Sequence, residues 1–198
     1  MAVTENPTQP ADVNPDSFRR MDESTEEQWK VIGKTTNENQ GRVADRMIML
    51  LESLGEISDG FITDQLTHCL QTATMAEKAG ADEEMIFGSL MHDIGKAISV
   101  PNHGAISAEI IRPYVRDDVY QSIKNHQDFQ GKHYYHHFDV PTNLRDRFKD
   151  ESWFDLCVEF TDDWDQQAFD PDAETYPLEH FEPLIRKLAG TVRTGLGE

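Results

Sequence analysis

Six residues of this chain have the types and placing for metal chemistry, and the most telling two are adjacent. His92 and Asp93 close an apolar run in Ser89-Leu90-Met91-His92-Asp93-Ile94-Gly95-Lys96. An imidazole and an ionised carboxylate are costly to bury unless they are paired or bound to metal. Alone, such a pair reads as a surface pair or a satisfied core histidine. It is not alone: His68, His103, His126 and Asp165 also lie in or just before amphipathic stretches. Imidazole and carboxylate without thiolate suit iron, manganese, zinc or a similar divalent metal. Six such ligands, with Asp93 bridging, suffice for two ions.

The elements that must hold these residues are all helical. Asp82 is a good N-cap, Glu83 and Glu84 suit the first turn, and Met85, Ile86, Leu90 and Ile94 recur at helical spacing. Gly95 is expected to end that helix as its C′ residue. Before it, Val43, Met47, Leu50, Leu51 and Leu54 form one stripe, closed by Gly55. Thr63 or Asp64 can cap the next helix, with Leu66, Cys69, Leu70, Ala73 and Ala76 on its buried side and His68 beside them. Asn102 can cap a short helix that starts at His103 and ends by Pro113. Val119 and Ile123 lead to His126, seven residues after Val119 and so on its face, near the end of their helix.

Residues 127–143 read as an aromatic loop whose rings serve as packing or a pocket lid. The histidines within it, His133, His136 and His137, lack flanking acids and are not expected to be structural ligands. A longer helix from about Glu151 to Ala168 places Asp165 on its apolar side and Asp162 on its polar side. The domain is expected over 41–190, after an N-terminal tail and docking segment over 1–40 and before a polar tail over 191–198. Within the first, 1–16 should be disordered, Thr25 should cap a helix carrying Trp29 and Ile32, and Thr35–Gln40 should be linker. No strand and no internal repeat is evident, so the fold class is all-α.

The chain has 198 residues, which favours one domain with a sizeable core. Lys plus Arg number 18 against 37 Asp plus Glu, a formal charge of -19 that repels nucleic-acid backbones and anionic membrane surfaces. No nucleic-acid or membrane partner is therefore expected. The two cysteines, Cys69 and Cys157, read as small core residues, and the sequence shows neither a membrane span nor a signal-peptide layout. The expected location is the cytoplasm.

His68, His92-Asp93 within HDIGK, and the later Asp165 resemble the HD-domain superfamily of metal-dependent phosphohydrolases and related enzymes. The added His103 and His126 resemble its two-metal branch. The likeness is closest to the mixed-valent di-iron oxygenases of that branch, which include myo-inositol oxygenase and the phosphonate-cleaving oxygenases. It runs from about Leu66 to Leu188 and implies an HD-domain helical bundle. It also implies that His68, His92, Asp93 and Asp165 hold one metal, with Asp93 bridging to a second held by His103 and His126. The implied cofactor is an Fe(II)/Fe(III) pair, with manganese or zinc as the alternative. Lys96 matches a position that contacts substrate in that branch. Three departures limit the likeness. Phe169 stands where both named kinds of oxygenase carry a lysine, Gln130 where the phosphonate enzymes carry one, and Ser58 and Phe61 replace the Tyr and Glu that the phosphonate enzymes place ahead of the first histidine.

The leading expectation is thus an oxygenase that uses O2 to cleave a C–C or C–P bond in a small hydroxylated molecule. Lys96 is its catalytic cation, and Phe61, Lys96, Phe129, Gln130, Tyr134 and Phe169 are its substrate-binding residues. One cation among aromatic rings suits an anionic or hydroxyl end near Lys96 and an apolar or cationic end against the rings. The competing enzyme is a metal-dependent phosphohydrolase, in which Lys96 would neutralise phosphoryl oxygens. A non-catalytic sensor or partner-binding domain that keeps the site for structure is the third expectation.

Overall fold

The computed structural model describes residues 14–193, so expectations for 1–13 and 194–198 lie outside the described residues. The chain divides into two units at Gly41–Arg42, each taken by itself below.

In the first unit, α1 (Glu26–Gln40) starts at Thr25 with a reciprocal cap. The Thr25 hydroxyl accepts from the Gln28 N–H at 3.3 Å, and the Gln28 side chain accepts from the Thr25 N–H at 2.9 Å. The Trp29 ring lies 5.4 Å from Phe18, and its N–H donates to Ser24 at 2.8 Å. Thr35–Gln40 is helix, not the expected linker. Once the capped first turn exists, each further residue adds a hydrogen bond at little cost, so weak helix formers are carried along.

In the second unit, α2 (Val43–Ser53) buries Ala44, Met47, Ile48 and Leu51, and a 3-10 turn over Leu54–Glu56 follows. The helices α3 (Gln65–Ala79) and α4 (Glu83–Met91) are capped by Asp64 and Asp82, whose carboxylates accept backbone N–H groups at 2.8 Å and 3.0–3.2 Å. They pack on one another, as do α5 (His103–Ile111) and α6 (Asp117–Tyr134). The short α7 (Phe154–Glu159) and the amphipathic α8 (Leu178–Ala189) complete the unit. One apolar core joins α2, α3, α4, α5, α6 and α8, and Leu51, Phe87, Leu90, Ile111, Ile123 and Ile185 are fully shielded within it. No strand occurs among the described residues, and the fold is all-α.

Several local expectations need correction. Helix α4 stops at Met91, and Ile94–Ala97 is a 3-10 turn. Gly95 is not a left-handed terminator; a Cβ there would lie 2.3 Å from the carbonyl oxygen of His103. The glycine is needed because α5 begins against it. Asn102 stands before α5 but makes no side-chain cap, and its carboxamide oxygen accepts from Ser99 at 2.6 Å instead. The aromatic loop expected from residue 127 is helix as far as Tyr134, so His126 is central in α6 rather than near its end. Gly131, inside α6, serves packing: a Cβ would sit 2.2 Å from the Tyr135 ring. The helix expected over Glu151–Ala168 is three pieces: α7, a π-helical turn over Phe160–Trp164 and a 3-10 turn over Asp165–Gln167. At the C-terminus, Arg193 is tied down, donating its N–H to the Pro113 carbonyl at 2.7 Å and pairing with Glu84 at 2.6 Å.

Candidate metal centre

Four histidines converge from four elements, and all are buried. His68 is in the first turns of α3, His92 follows the last residue of α4, His103 opens α5, and His126 lies in mid α6. Each is oriented the same way. Their Nδ1 atoms lie against the backbone carbonyls of Ala168 (3.0 Å), Ser89 (2.8 Å), Val100 (2.7 Å) and Ile123 (2.7 Å) respectively. A carbonyl only accepts, so each Nδ1 must carry the proton, and in the neutral ring each Nε2 presents a lone pair. Those lone pairs face one another: His68 and His92 approach to 3.1 Å through Nε2, and His103 and His126 to 3.2 Å. Two lone pairs at that range repel unless a proton or a cation lies between them.

Asp93 lies between the two pairs, at φ -109° and ψ 4° just past the end of α4. Its Oδ1 is 2.9 Å from His103 Nε2 and 3.6 Å from His126 Nε2. Its Oδ2 is 3.4 Å from His92 Nε2 and 3.6 Å from His68 Nε2. Asp165 serves the first pair only, with Oδ1 3.1 Å from His68 Nε2 and 3.4 Å from His92 Nε2. Both Oδ1 atoms are buried without a hydrogen bond, so the contacts are convergent but not donor-to-acceptor. The Oδ2 atoms, by contrast, are clamped. Lys96 Nζ sits 2.8 Å from Asp93 Oδ2 and donates to Gln65 at 2.7 Å, while the Gln130 amide donates to Asp165 Oδ2. Partners of this kind fix the orientation of a metal-binding carboxylate.

The electrostatics express the same demand for positive charge. Burial opposes a charged His92, yet Asp93 and Asp165 lift its pKa well above the ordinary imidazole value. Burial likewise opposes ionised Asp93, but the His92 charge and the neighbouring imidazoles hold it well below the usual carboxylate range. Asp165 is lowered in the same way, against burial, by His92 and His68. Without metal, a proton on His92 partly satisfies two buried carboxylates; a bound cation would displace it.

The π-helical turn adds one residue to the helical repeat, turning Trp164 and Asp165 both inward. Asp162, three residues earlier, points away. It takes Lys132 at 2.9 Å, His133 at 3.0 Å and Arg145 at 3.1 Å. Asp165→Ala should therefore cut metal content several-fold, while Asp162→Ala leaves it near wild type; metal analysis of both variants reads this directly. The opposite ranking would refute the assigned orientation of this segment. The Gly95–His103 contact yields a second test. Gly95→Ala drives a methyl into the His103 backbone and should release the ion bound by His103 and His126 while the other ion stays. Equal loss of both ions, or of neither, would contradict it.

Beside the centre lies a cavity of about 430 Å³. Of the side chains expected to bind substrate, Phe61, Lys96, Gln130, Tyr134 and Phe169 line it, as do His68, Asp93 and His103. Phe129 does not. It is fully buried in a second small core with Trp153 and Cys157, its ring 5.8 Å from Phe148 and 5.3 Å from Phe154. On α6 it points about 160° away from Gln127 and about 100° away from Gln130, a distinction a loop could not have revealed. Gln127, Gln166, His133 and Phe138 also line the cavity and were not anticipated, nor was Gln65 as the second partner of Lys96. Adjacency to His126 and Asp165 was the available signal for Gln127 and Gln166. Among the described residues, His133, His136 and His137 form no ligand group, and His133 is held by Asp162.

The donor set fits metal. The combinations His68–His92–Asp93, His92–His126–Asp165 and Asp93–His103–His126 each bring their donor atoms within 4.8 Å of one another. Four imidazoles and two carboxylates, with no thiolate, suit redox-active or Lewis-acidic first-row ions. Comparison with known families finds that the HD-domain model matches residues 66–170, just over half of the chain. No curated protein matches.

Proposed function

The chain belongs to the HD-domain family, whose members are typically metal-dependent enzymes, and on that premise we propose that it is a non-haem di-iron oxygenase. In this reading it uses O2 to cleave a C–C or C–P bond of a small hydroxylated substrate in the cytoplasm. The observation that carries the proposal is the second histidine pair: His103 and His126 meet the face of Asp93 turned away from His68 and His92. A four-ligand HD site would need neither.

His68, His92, Asp165 and Asp93 Oδ2 would hold one iron, and His103, His126 and Asp93 Oδ1 the other. A mixed-valent Fe(II)/Fe(III) pair supplies the electron exchange with O2 that bond cleavage requires. The chain's own residues do the rest. The Nδ1–H bonds fix every imidazole before metal arrives, so binding costs little reorganisation. Lys96 keeps its proton, because Asp93 raises its pKa although burial opposes this, and it steadies the shared carboxylate. Phe169 stacks on His68 at 4.3 Å and on Phe61 at 4.7 Å, a wall that keeps water from one side of the centre. With Lys96 engaged by Asp93 and Gln65, the side chains of the cavity add little positive charge of their own beyond the metals. Iron loading under anaerobic conditions tests the proposal. Two irons per chain and a coupled mixed-valent spectrum after partial reduction are expected; one uncoupled iron would overturn it.

A further inference from the structure

The mouth of the cavity is more apolar than a site for a wholly polar molecule requires. Within residues 42–193, nine large apolar side chains are exposed, and seven of them lie on three segments that flank the cavity. Phe61 and Ile62 precede α3. Ile98 and Val100 follow the 3-10 turn that carries Lys96, and the Val100 carbonyl accepts from His103 Nδ1 at 2.7 Å. Tyr134, Phe138 and Val140 end α6 and the turn beyond it, where the Val140 N–H donates to the Tyr135 carbonyl at 3.2 Å. Ile62 is 73% exposed, Phe138 69% and Ile98 62%. Singly exposed apolar residues are ordinary, but their concentration on and next to the segments that line a concave site marks something that covers it.

We propose that the occupant is the hydrocarbon portion of the substrate: an amphiphile whose hydroxylated head enters the cavity and whose apolar tail lies across this rim. The inference rests on the reading of the cavity as the substrate site. Continuity is its main support, since Phe61, Tyr134 and Phe138 belong to both the cavity wall and the rim. An apolar tail on Phe138, Ile98 and Ile62 would keep these side chains from water without closing the route to the metals, as a bound protein would. An anionic membrane surface is a poor occupant for a chain of net charge -19.

Calorimetry on the full-length, metal-loaded protein under nitrogen, with propylene glycol and the hexane and octane vicinal diols as probes, tests this. Affinity should rise about threefold for each added methylene that reaches the rim. Ile62→Ser combined with Ile98→Ser should flatten that dependence while leaving metal content and propylene glycol binding unchanged, since neither side chain lines the cavity. Equal affinity for all the diols would overturn the proposal, and so would a chain-length dependence that survives the double substitution. A wild-type dimer converted to a monomer by the same substitutions would assign the rim to a second copy instead. Binding under nitrogen needs no turnover, so this experiment can fail or succeed independently of the oxygenase reading.

Discussion

Replacing Asp93 with alanine should remove both ions at once, whereas no other single ligand does so. Asp93 offers Oδ1 to the His103–His126 pair and Oδ2 to the His68–His92 pair, so its loss opens both coordination sets together. Losing even an outer partner of a metal ligand typically costs 10–100-fold in affinity, and a shared ligand should cost at least about 100-fold at each position. Metal analysis after desalting should then fall from two ions per chain to nearly none. The same change strips Lys96 of its counter-charge in a largely buried place, which costs about 3 kcal/mol. The metal-free variant must therefore be checked for helical content and melting temperature. Asp93→Asn, which keeps the shape and a partner for neither ion's charge, should also lose metal. Full retention of one ion in a folded Asp93→Ala protein would show that the carboxylate is not shared.

The second large effect separates oxidation from hydrolysis. Both chemistries can use His68, His92, Asp93 and Asp165, but they ask different things of the ion. Hydrolysis needs Lewis acidity only, so zinc or manganese would serve and oxygen would be irrelevant. Oxygenation needs a metal that exchanges electrons, which redox-inert zinc cannot do. The iron-loaded protein should consume O2 with its substrate, stop under nitrogen, and fall silent on zinc exchange even with every ligand engaged. Oxygen uptake and product formation in parallel provide the measurement. Phosphate release from a phosphate ester, independent of oxygen and equally supported by zinc, would instead make the protein a metal-dependent phosphohydrolase.

The buried cluster of four histidines and two aspartates was legible because burying a His or an Asp on an apolar helical face needs a reason that pattern alone can expose. The caps Thr25, Asp64 and Asp82 were legible because their hydrogen bonds are local. What was hidden depended on neighbours distant in sequence. Gly95 looks like a helix terminator until His103 is seen against it. Phe129 shares its stretch with true cavity residues, and only the helical phase of α6 separates them. Lys96 and Gln130 were anticipated near the site, but that their polar ends are occupied by the two carboxylates follows only from three-dimensional placement.

The π-helical turn over Phe160–Trp164 makes the chain's length count just ahead of the site. Four of the residues from Asp165 to Asp170 are seated on α3. Asp165 meets His68, the Ala168 carbonyl receives its Nδ1–H, Phe169 stacks on its ring, and the Asp170 carbonyl accepts from Gln71 at 2.6 Å. Removing one residue from the wide turn would restore an ordinary α-helical repeat and rotate the following residues by roughly 100°. All four contacts would be unseated together. Within the connection between α6 and α7, the exposed residues 141–143 carry no such coupling and can lengthen or shorten at modest cost. Insertions and deletions are therefore tolerable there but not between Phe160 and Asp170, where the number of residues is itself part of the site.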